Sequence, residues 1–422
     1  MREMKDSGFE WIGEIPVNWE VDKLKFHLKR NEPRNPGDTV VLSLYRELGV
    51  IPKDSREDNH NVTSEDTSKY KYVQPGDFVI NKMKAWQGSV AVSEYEGIVS
   101  PAYFIYKFTD DAFYRRYFHY LLRSCYKDEF MRLSGGIRVG QWDLPSVALD
   151  NTAVIIPPMK EQKSIAAFLD VKCAEIDALT ADIQTQIDTL EQYKRSVITE
   201  AVTKGLNPDV EMKDSGTPWC PLIPIHWKYA NPKALFTQRL DRAYPGDKQL
   251  TASQEYGVIY QDEYMELTGT KIVTVMKDFS ILKHVEPNDF VISMRSFQGG
   301  LEYSERRGSI SSAYVMLIPN NEYVYPPFYR WFFKSSKYIN AIQSTSNLVR
   351  DGQAMRYANF AQVPLFIIPL DEQKQISEYL DEKVRKIDEI LKSKKSQLEI
   401  LAEYKKSLIY EYVTGKKEVP AI

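Results

Sequence analysis

The chain has 422 residues, of which 43% are apolar and 27% charged, and its net charge is −3. These values exclude disorder and collagen-like repetition for the chain as a whole and leave room for about two to four domains, each with its own core. No apolar run approaches the roughly 18 residues a membrane helix needs, so no span is expected. The opening Met1-Arg-Glu-Met-Lys-Asp-Ser-Gly has no apolar h-region, so no secretory signal is expected. Cys125, Cys173 and Cys220 are widely spaced and suggest neither a disulfide framework nor a zinc site. A reducing, cytoplasmic compartment fits that usage. The five histidines are scattered, so no metal site is expected. A chain that binds only nucleic acid is usually basic overall, and near-neutral charge argues weakly against that role.

The elements repeat in order. Met4-Lys-Asp-Ser-Gly-Phe-Glu-Trp11 returns as Met212-Lys-Asp-Ser-Gly-Thr-Pro-Trp219, and Ile15-Pro16…Trp19 as Ile223-Pro224…Trp227. Pro75-Gly-Asp-Phe-Val-Ile80 returns as Pro287-Asn-Asp-Phe-Val-Ile292, and Trp86-Gln87-Gly88 as Phe297-Gln298-Gly299. Arg138…Gln141 returns as Arg350…Gln353, and Glu161-Gln-Lys163 as Glu372-Gln-Lys374. The order holds along the whole chain, so the sequence is two copies of one unit.

Each copy begins with a mixed segment. Gly76–Asn81 and Tyr103–Phe108 read as short strands, rich in aromatic and β-branched residues. Asp111–Arg132 reads as one helix, with Phe113, Tyr117, Tyr120 and Leu121 at helical spacing. A mixed α/β globule is therefore expected.

A long helix follows. Met159–Thr203 contains neither proline nor glycine, and Leu169, Ile176, Ile183, Leu190 and Val197 recur every seventh residue. Cys173, Leu179, Ile187 and Ala201 complete the stripe. The second copy places Leu380, Ile387, Leu401 and Leu408 on the same grid, interrupted by Lys394, with Val384, Leu391 and Leu398 beside them. Such a repeat needs a partner helix. If a pseudo-two-fold axis relates the copies, the spacing predicts an antiparallel coiled-coil pair, one helix from each copy, separating two globules in a tandem repeat; the competing reading packs each helix on its own globule. The predicted boundaries are 1–155 and 206–367 for the globules, and 156–205 and 368–422 for the helical spacers.

No catalytic constellation is found. GxxxxGK[ST], GxSxG and GxGxxG are all missing from the sequence. Tyr325-Pro-Pro-Phe328 resembles an amino-methyltransferase loop but lacks the amide or carboxylate that would receive the target amine. Pro208-Asp209-Val-Glu211-Met-Lys213 resembles a nuclease pattern, yet its carboxylates lie two residues apart in a connector, where metal-dependent cleavage needs them converging from adjacent strands. No catalytic residue, bound metal or cofactor is assigned to this chain.

Local charge answers the objection from composition. Lys107–Arg138 carries a net +3 and Tyr325–Arg356 a net +4, in equivalent places. Cations beside aromatic residues suit phosphate contact; the competing reading is a solvated helix face. The loop Lys82-Met-Lys84-Ala-Trp86-Gln87-Gly88 and its counterpart Met294–Gly299 offer Lys, Arg and Gln, which can read guanine and adenine edges. Their aromatic residues read as structural anchors. The candidate DNA-binding residues are Lys82, Lys84, Gln87, Arg115, Arg116, Arg138, Gln141, Arg295, Gln298, Arg330, Arg350, Gln353 and Arg356. If the copies read different half-sites, shared residues cannot discriminate between them. Sequence choice is then expected where the copies diverge, at Tyr45–Lys69 against Gln254–Lys271 and at Trp142–Ser146 against Ala354–Ala358.

Two variable globules alternating with two long helices resemble the specificity subunit of Type I restriction–modification systems. The residues that carry the resemblance are Ile155-Ile-Pro-Pro-Met-Lys-Glu-Gln-Lys-Ser-Ile165…Phe168-Leu169-Asp170, Ile367-Ile-Pro-Leu-Asp-Glu-Gln-Lys-Gln-Ile376…Tyr379-Leu380-Asp381, Gly135–Trp142 and Trp86–Gly88. Copy two departs at Leu370, where copy one has Pro158. The resemblance covers the whole chain. It implies a non-catalytic subunit whose globules each bind half of an asymmetric, interrupted site in double-stranded DNA, with the helices setting the spacing. It also implies two modification subunits that use S-adenosylmethionine to methylate adenine, and restriction subunits with an ATP- and Mg-dependent motor. The alternatives are a protein-binding scaffold and a free-standing nuclease.

Overall fold

The computed structural model describes residues 2–37, 39–46, 48–55, 63, 66–136, 142–272, 279–294, 296–345 and 355–420. The chain divides into two compact units. The first comprises Met1–Ile183 with Ser396–Ile422, and the second Gln184–Lys395.

In the first unit, a four-stranded antiparallel sheet has the order Leu28–Arg30, Tyr103–Phe108, Phe78–Asn81, Val90–Val92. Phe78–Asn81 is buried throughout. Phe78 and Ile80 enter one apolar cluster, and Val79 enters another on the opposite face. A strand covered on both sides needs apolar residues at consecutive positions, which is why Phe78-Val-Ile80 forms the centre of the sheet. The hairpin Leu42–Tyr45/Gly49–Pro52 and the pair Lys71–Val73/Gly97–Val99 flank it. Ala153–Ile156 pairs with Glu20–Lys23 just before the long helix begins.

The second unit repeats this topology. Its sheet runs Phe236–Arg239, Val315–Pro319, Phe290–Ile292, Glu302–Tyr303. Leu250–Ser253/Gly257–Tyr260 is the equivalent hairpin, and Leu365–Ile367 pairs with Lys228–Ala230. Among the described residues, the segments after the two hairpins differ: the first begins with the short turn Lys53–Ser55. The second hairpin leads into a helix, Gln261–Thr268, ended by Gly269 in the left-handed region.

The helix expected over Asp111–Arg132 is two helices, Arg115–Cys125 and Lys127–Leu133. Tyr126 breaks them at φ −97°, ψ −1°, and its buried ring sits 4.6 Å from Trp11 in an edge-on contact. Packing onto Trp11 turns the chain where the sequence shows neither glycine nor proline.

The long helices are Met159–Lys204, 46 residues, and Leu370–Val413, 44 residues. At about 1.5 Å per residue each extends roughly 65–70 Å. Each gives one half to each unit. In the first unit they run antiparallel: Lys405 Nζ lies 2.6 Å from Asp177, and the Phe168 and Tyr412 rings are 4.5 Å apart. In the second, Lys194 lies 2.6 Å from Asp388, which is Asp177's counterpart in the repeat. Leu169, Cys173, Ile176, Ile183, Ile187, Val197, Leu380, Val384, Ile387, Leu391 and Leu408 are buried. Leu190, Leu398 and Leu401 are partly buried. Leu179, expected in the stripe, is instead 48% exposed. The seam drifts relative to a strict seven-residue grid because a straight helix turns once per about 3.6 residues.

Candidate nucleic-acid interface

Three segments converge beyond the central strand of the first unit. The loop after Phe78–Asn81 tightens into the short turn Ala85–Gln87 and ends at Gly88, whose φ of 86° is easily reached only without a side chain. Trp86 donates its indole N–H to Met83 O at 3.1 Å and meets Trp142 with ring centroids 5.6 Å apart. Lys82 Nζ reaches Asp143 at 2.7 Å, and Leu144 N–H donates to Lys82 O at 3.0 Å. The hairpin tip closes the group from the other side. Arg46 Nη2 donates to Gln87 Oε1 at 2.9 Å, and Arg123 holds the Arg46 carbonyl. Lys84, Met83 and Arg46 are exposed. Divergent residues (Arg46, Trp142, Asp143) and shared ones (Gln87, Gly88), with an aromatic at Trp86 in both copies, therefore build one surface.

In the second unit the corresponding loop and hairpin meet as well. Ser296–Gly299 forms a short helical turn after Phe290–Ile292. A Cβ on Gly299 would lie 2.5 Å from the side chain of Gln254, at the tip of the second hairpin. A missing side chain thus lets the divergent hairpin rest on the shared loop.

His119 lies beneath the first hairpin. Its Nδ1 accepts from Val92 N–H at 3.4 Å, and its Cε1 sits 3.4 Å from where a Cβ on Gly49 would be. Burial, reinforced by Arg123 and Arg116, holds its pKa down at about 3, so the ring is neutral at pH 7.

A second constellation joins globule to helix. Glu161 Oε2 accepts the indole N–H of buried Trp19 at 3.0 Å, and Glu372 Oε2 does the same for Trp227 at 3.0 Å. Fully buried Gln162 donates to Ala112 O at 2.7 Å and Pro157 O at 2.8 Å, and accepts from Tyr114 N–H at 2.8 Å. Gln373 repeats this with Tyr323 O, Ile368 O and Tyr325 N–H. Asp170 accepts from Arg116 Nε and Tyr120 Oη, both at 2.7 Å, while Asp381 accepts from Arg330 and from Trp331 Nε1.

A family model for the Type I restriction modification DNA specificity domain matches residues 16–189. A Methanocaldococcus jannaschii protein assigned as the specificity subunit of the MjaX type I restriction enzyme is 24% identical, over 97% of this chain and 96% of its own length. The EcoBI specificity subunit of Escherichia coli is 22% identical over 73% of this chain and 66% of its own length. A solved chain from work on complex assembly and conformational transition of the type I R-M system superposes with a TM-score of 0.70 at 12% identity, covering 96% of this chain and 99% of that one. The HsdS subunit of Thermoanaerobacter tengcongensis gives 0.52 at 13% identity, covering 96% and 98%. Residues 16–189 thus match the model of the Type I DNA specificity domain, and the chain is similar over nearly its full length to a Type I specificity subunit.

Of the DNA-binding residues expected from the sequence, Lys82, Lys84 and Gln87 come together at the loop–hairpin surface. Gln298 and Arg356 are exposed in the second unit, and Arg356 N–H donates to Asn359 Oδ1 at 3.0 Å. Arg115 and Arg116 lie apart from that loop. Arg115 stacks 3.6 Å over Phe108 and donates to Phe113 O at 2.8 Å, and Arg116 pairs with Asp170 and with Glu94 at 3.0 Å. Arg330 pairs with Asp381 and approaches Glu305 at 3.9 Å. The +3 count over Lys107–Arg138 thus includes cations occupied by internal partners, with Arg132 bound to buried Glu129 at 2.7 Å. Arg138, Gln141, Arg295, Arg350 and Gln353 lie outside the described residues. Asp209 and Glu211 are exposed in the connector. Among the described residues, no group of three His, Cys, Asp or Glu side chains is arranged to hold a metal ion. The sequence reading missed Arg46; divergence had flagged its segment but could not single out the residue.

Proposed function

We propose that the chain is the non-catalytic DNA-specificity subunit of a Type I restriction–modification complex, each unit binding one half of a bipartite, asymmetric site in double-stranded DNA. The observation that carries this reading is the duplicated surface on which a divergent hairpin rests on a shared loop. Shared residues would hold the surface on DNA, and divergent ones would choose the bases. In this reading residues 1–155 and 206–367 are the recognition domains, and 156–205 and 368–422 are spacers that set half-site separation and dock two modification subunits. Those subunits would carry S-adenosylmethionine, and restriction subunits would supply the ATP- and Mg-dependent motor. The complex would work in the cytoplasm. Lys82, Lys84, Gln87, Gln298 and Arg356 are the DNA-contact candidates supported by exposure or by place on this surface. Arg115, Arg116 and Arg330 are better supported as internal ties.

Methylation-site sequencing of cells carrying the system tests this. The expected result is one interrupted sequence with two different half-sites. A single contiguous site, or negligible DNA affinity at low salt with the modification partner present, overturns it; the latter outcome favours a protein-binding scaffold.

A further inference from the structure

Most arginines bound through their side chains in the two units face a carboxylate. Arg116 is bound to Asp170, Arg132 to Glu129, Arg239 to Asp289 and Arg330 to Asp381. Arg46 differs. Its guanidinium is oriented by a neutral acceptor, the Gln87 amide oxygen at 2.9 Å, and its backbone is fixed by Arg123. Among the described residues, no carboxylate lies within ion-pair distance of it, and it stands exposed at the hairpin tip. The result is a pre-oriented fork exposed at the hairpin tip. One Nη2 hydrogen goes to Gln87, leaving the other guanidinium N–H groups to donate.

We propose that Arg46 reads a guanine in the half-site bound by the first unit, with Gln87 as its positioning residue. The proposal rests on the DNA-specificity reading above. A planar fork of donors matches guanine O6 and N7 in the major groove. An amide oxygen that holds the fork without neutralising it lowers the entropy lost on binding and keeps the charge available. The second tip has Gln254 at the corresponding place. The two tips therefore present different donor patterns, as an asymmetric site requires.

The test is methylation-site sequencing in cells whose full-length subunit is wild type, Arg46→Ala, Arg46→Lys or Gln87→Ala. In wild type, one half-site is expected to contain an invariant guanine. Arg46→Ala is expected to reduce guanine preference at that single position roughly tenfold or more, with the other half-site and the spacing unchanged. Gln87→Ala should relax the same position to a smaller degree. Arg46→Lys, which keeps a donor able to reach guanine, should retain the preference in weakened form; if Arg46→Ala abolishes methylation, Gln87→Ala decides: relaxation at one guanine supports the assignment, and an unchanged motif overturns it. Loss of methylation uniform across bases, or a relaxed position that is not guanine, also overturns it. A wild-type pattern that is not bipartite would instead remove the underlying functional reading.

Discussion

Gln162 and Gln373 show how one side chain can fix an interface. Each is fully buried and closes three hydrogen bonds between a globule loop and the start of a long helix. A buried polar group left without its partner costs about 1–3 kcal/mol. Gln162→Leu strands Tyr114 N–H and two carbonyls, so the first unit should lose about 3 kcal/mol, read as a lower denaturant midpoint. The Glu-Gln pair was legible in the sequence as a repeated motif, but its role was not, because two of the three partners of each glutamine lie 48 to 50 residues away in sequence. His119 gives a pH dependence. Its pKa falls from about 6.5 unfolded to about 3 folded, so the fold requires the neutral ring. That stability is fully present above pH 6.5 and is lost as pH falls towards 3. Part of the residue stays exposed. Wild type should therefore lose only about 1–2 kcal/mol more than His119→Gln between pH 7 and pH 4, measured by urea denaturation.

At the scale of elements, the long helices separate what periodicity reveals from what packing decides. Leu169, Ile176 and Ile183 follow the seven-residue grid into the seam, whereas Leu179 does not. Ile183→Ala should cost about 2–4 kcal/mol, and Leu179→Gln less than about 0.5 kcal/mol. Comparable losses for the two would mean that the exposed face is covered. The cross-helix pair Asp177–Lys405 is 62% and 31% exposed, so it contributes less than about 1 kcal/mol and serves register more than stability. Basic content was equally legible as a count, but the count did not show where the charges go. Asp170 and Asp381, far along the chain, take up Arg116 and Arg330.

For the whole molecule, duplication was the most legible feature, because repeated motifs keep their order whatever their contacts. The sheet order repeats strand for strand. The helix Gln261–Thr268 lies within a segment where the sequences of the two copies had already parted. If the helices set half-site separation, adding seven residues between Ile176 and Ile183, with a matching seven in Leu370–Val413, should change the spacer in the methylated sequence. Both half-sites should stay as they were. A changed half-site would show that spacing and base choice are not separate properties.

The first unit is assembled from two segments that lie on either side of the second, and this sets an order of events during synthesis. Gln184–Lys395 is continuous, so the second unit can close once its own residues have left the ribosome. The first cannot. Tyr117 Oη donates to Val413 O at 2.8 Å, Leu408 and Tyr412 belong to its apolar core, and a Cβ on Gly415 would lie 2.5 Å from Pro16. The globule translated first is thus completed last, once the segment around Leu408–Gly415 has been made. A premature stop near Lys395 would leave the later unit whole and damage the earlier one.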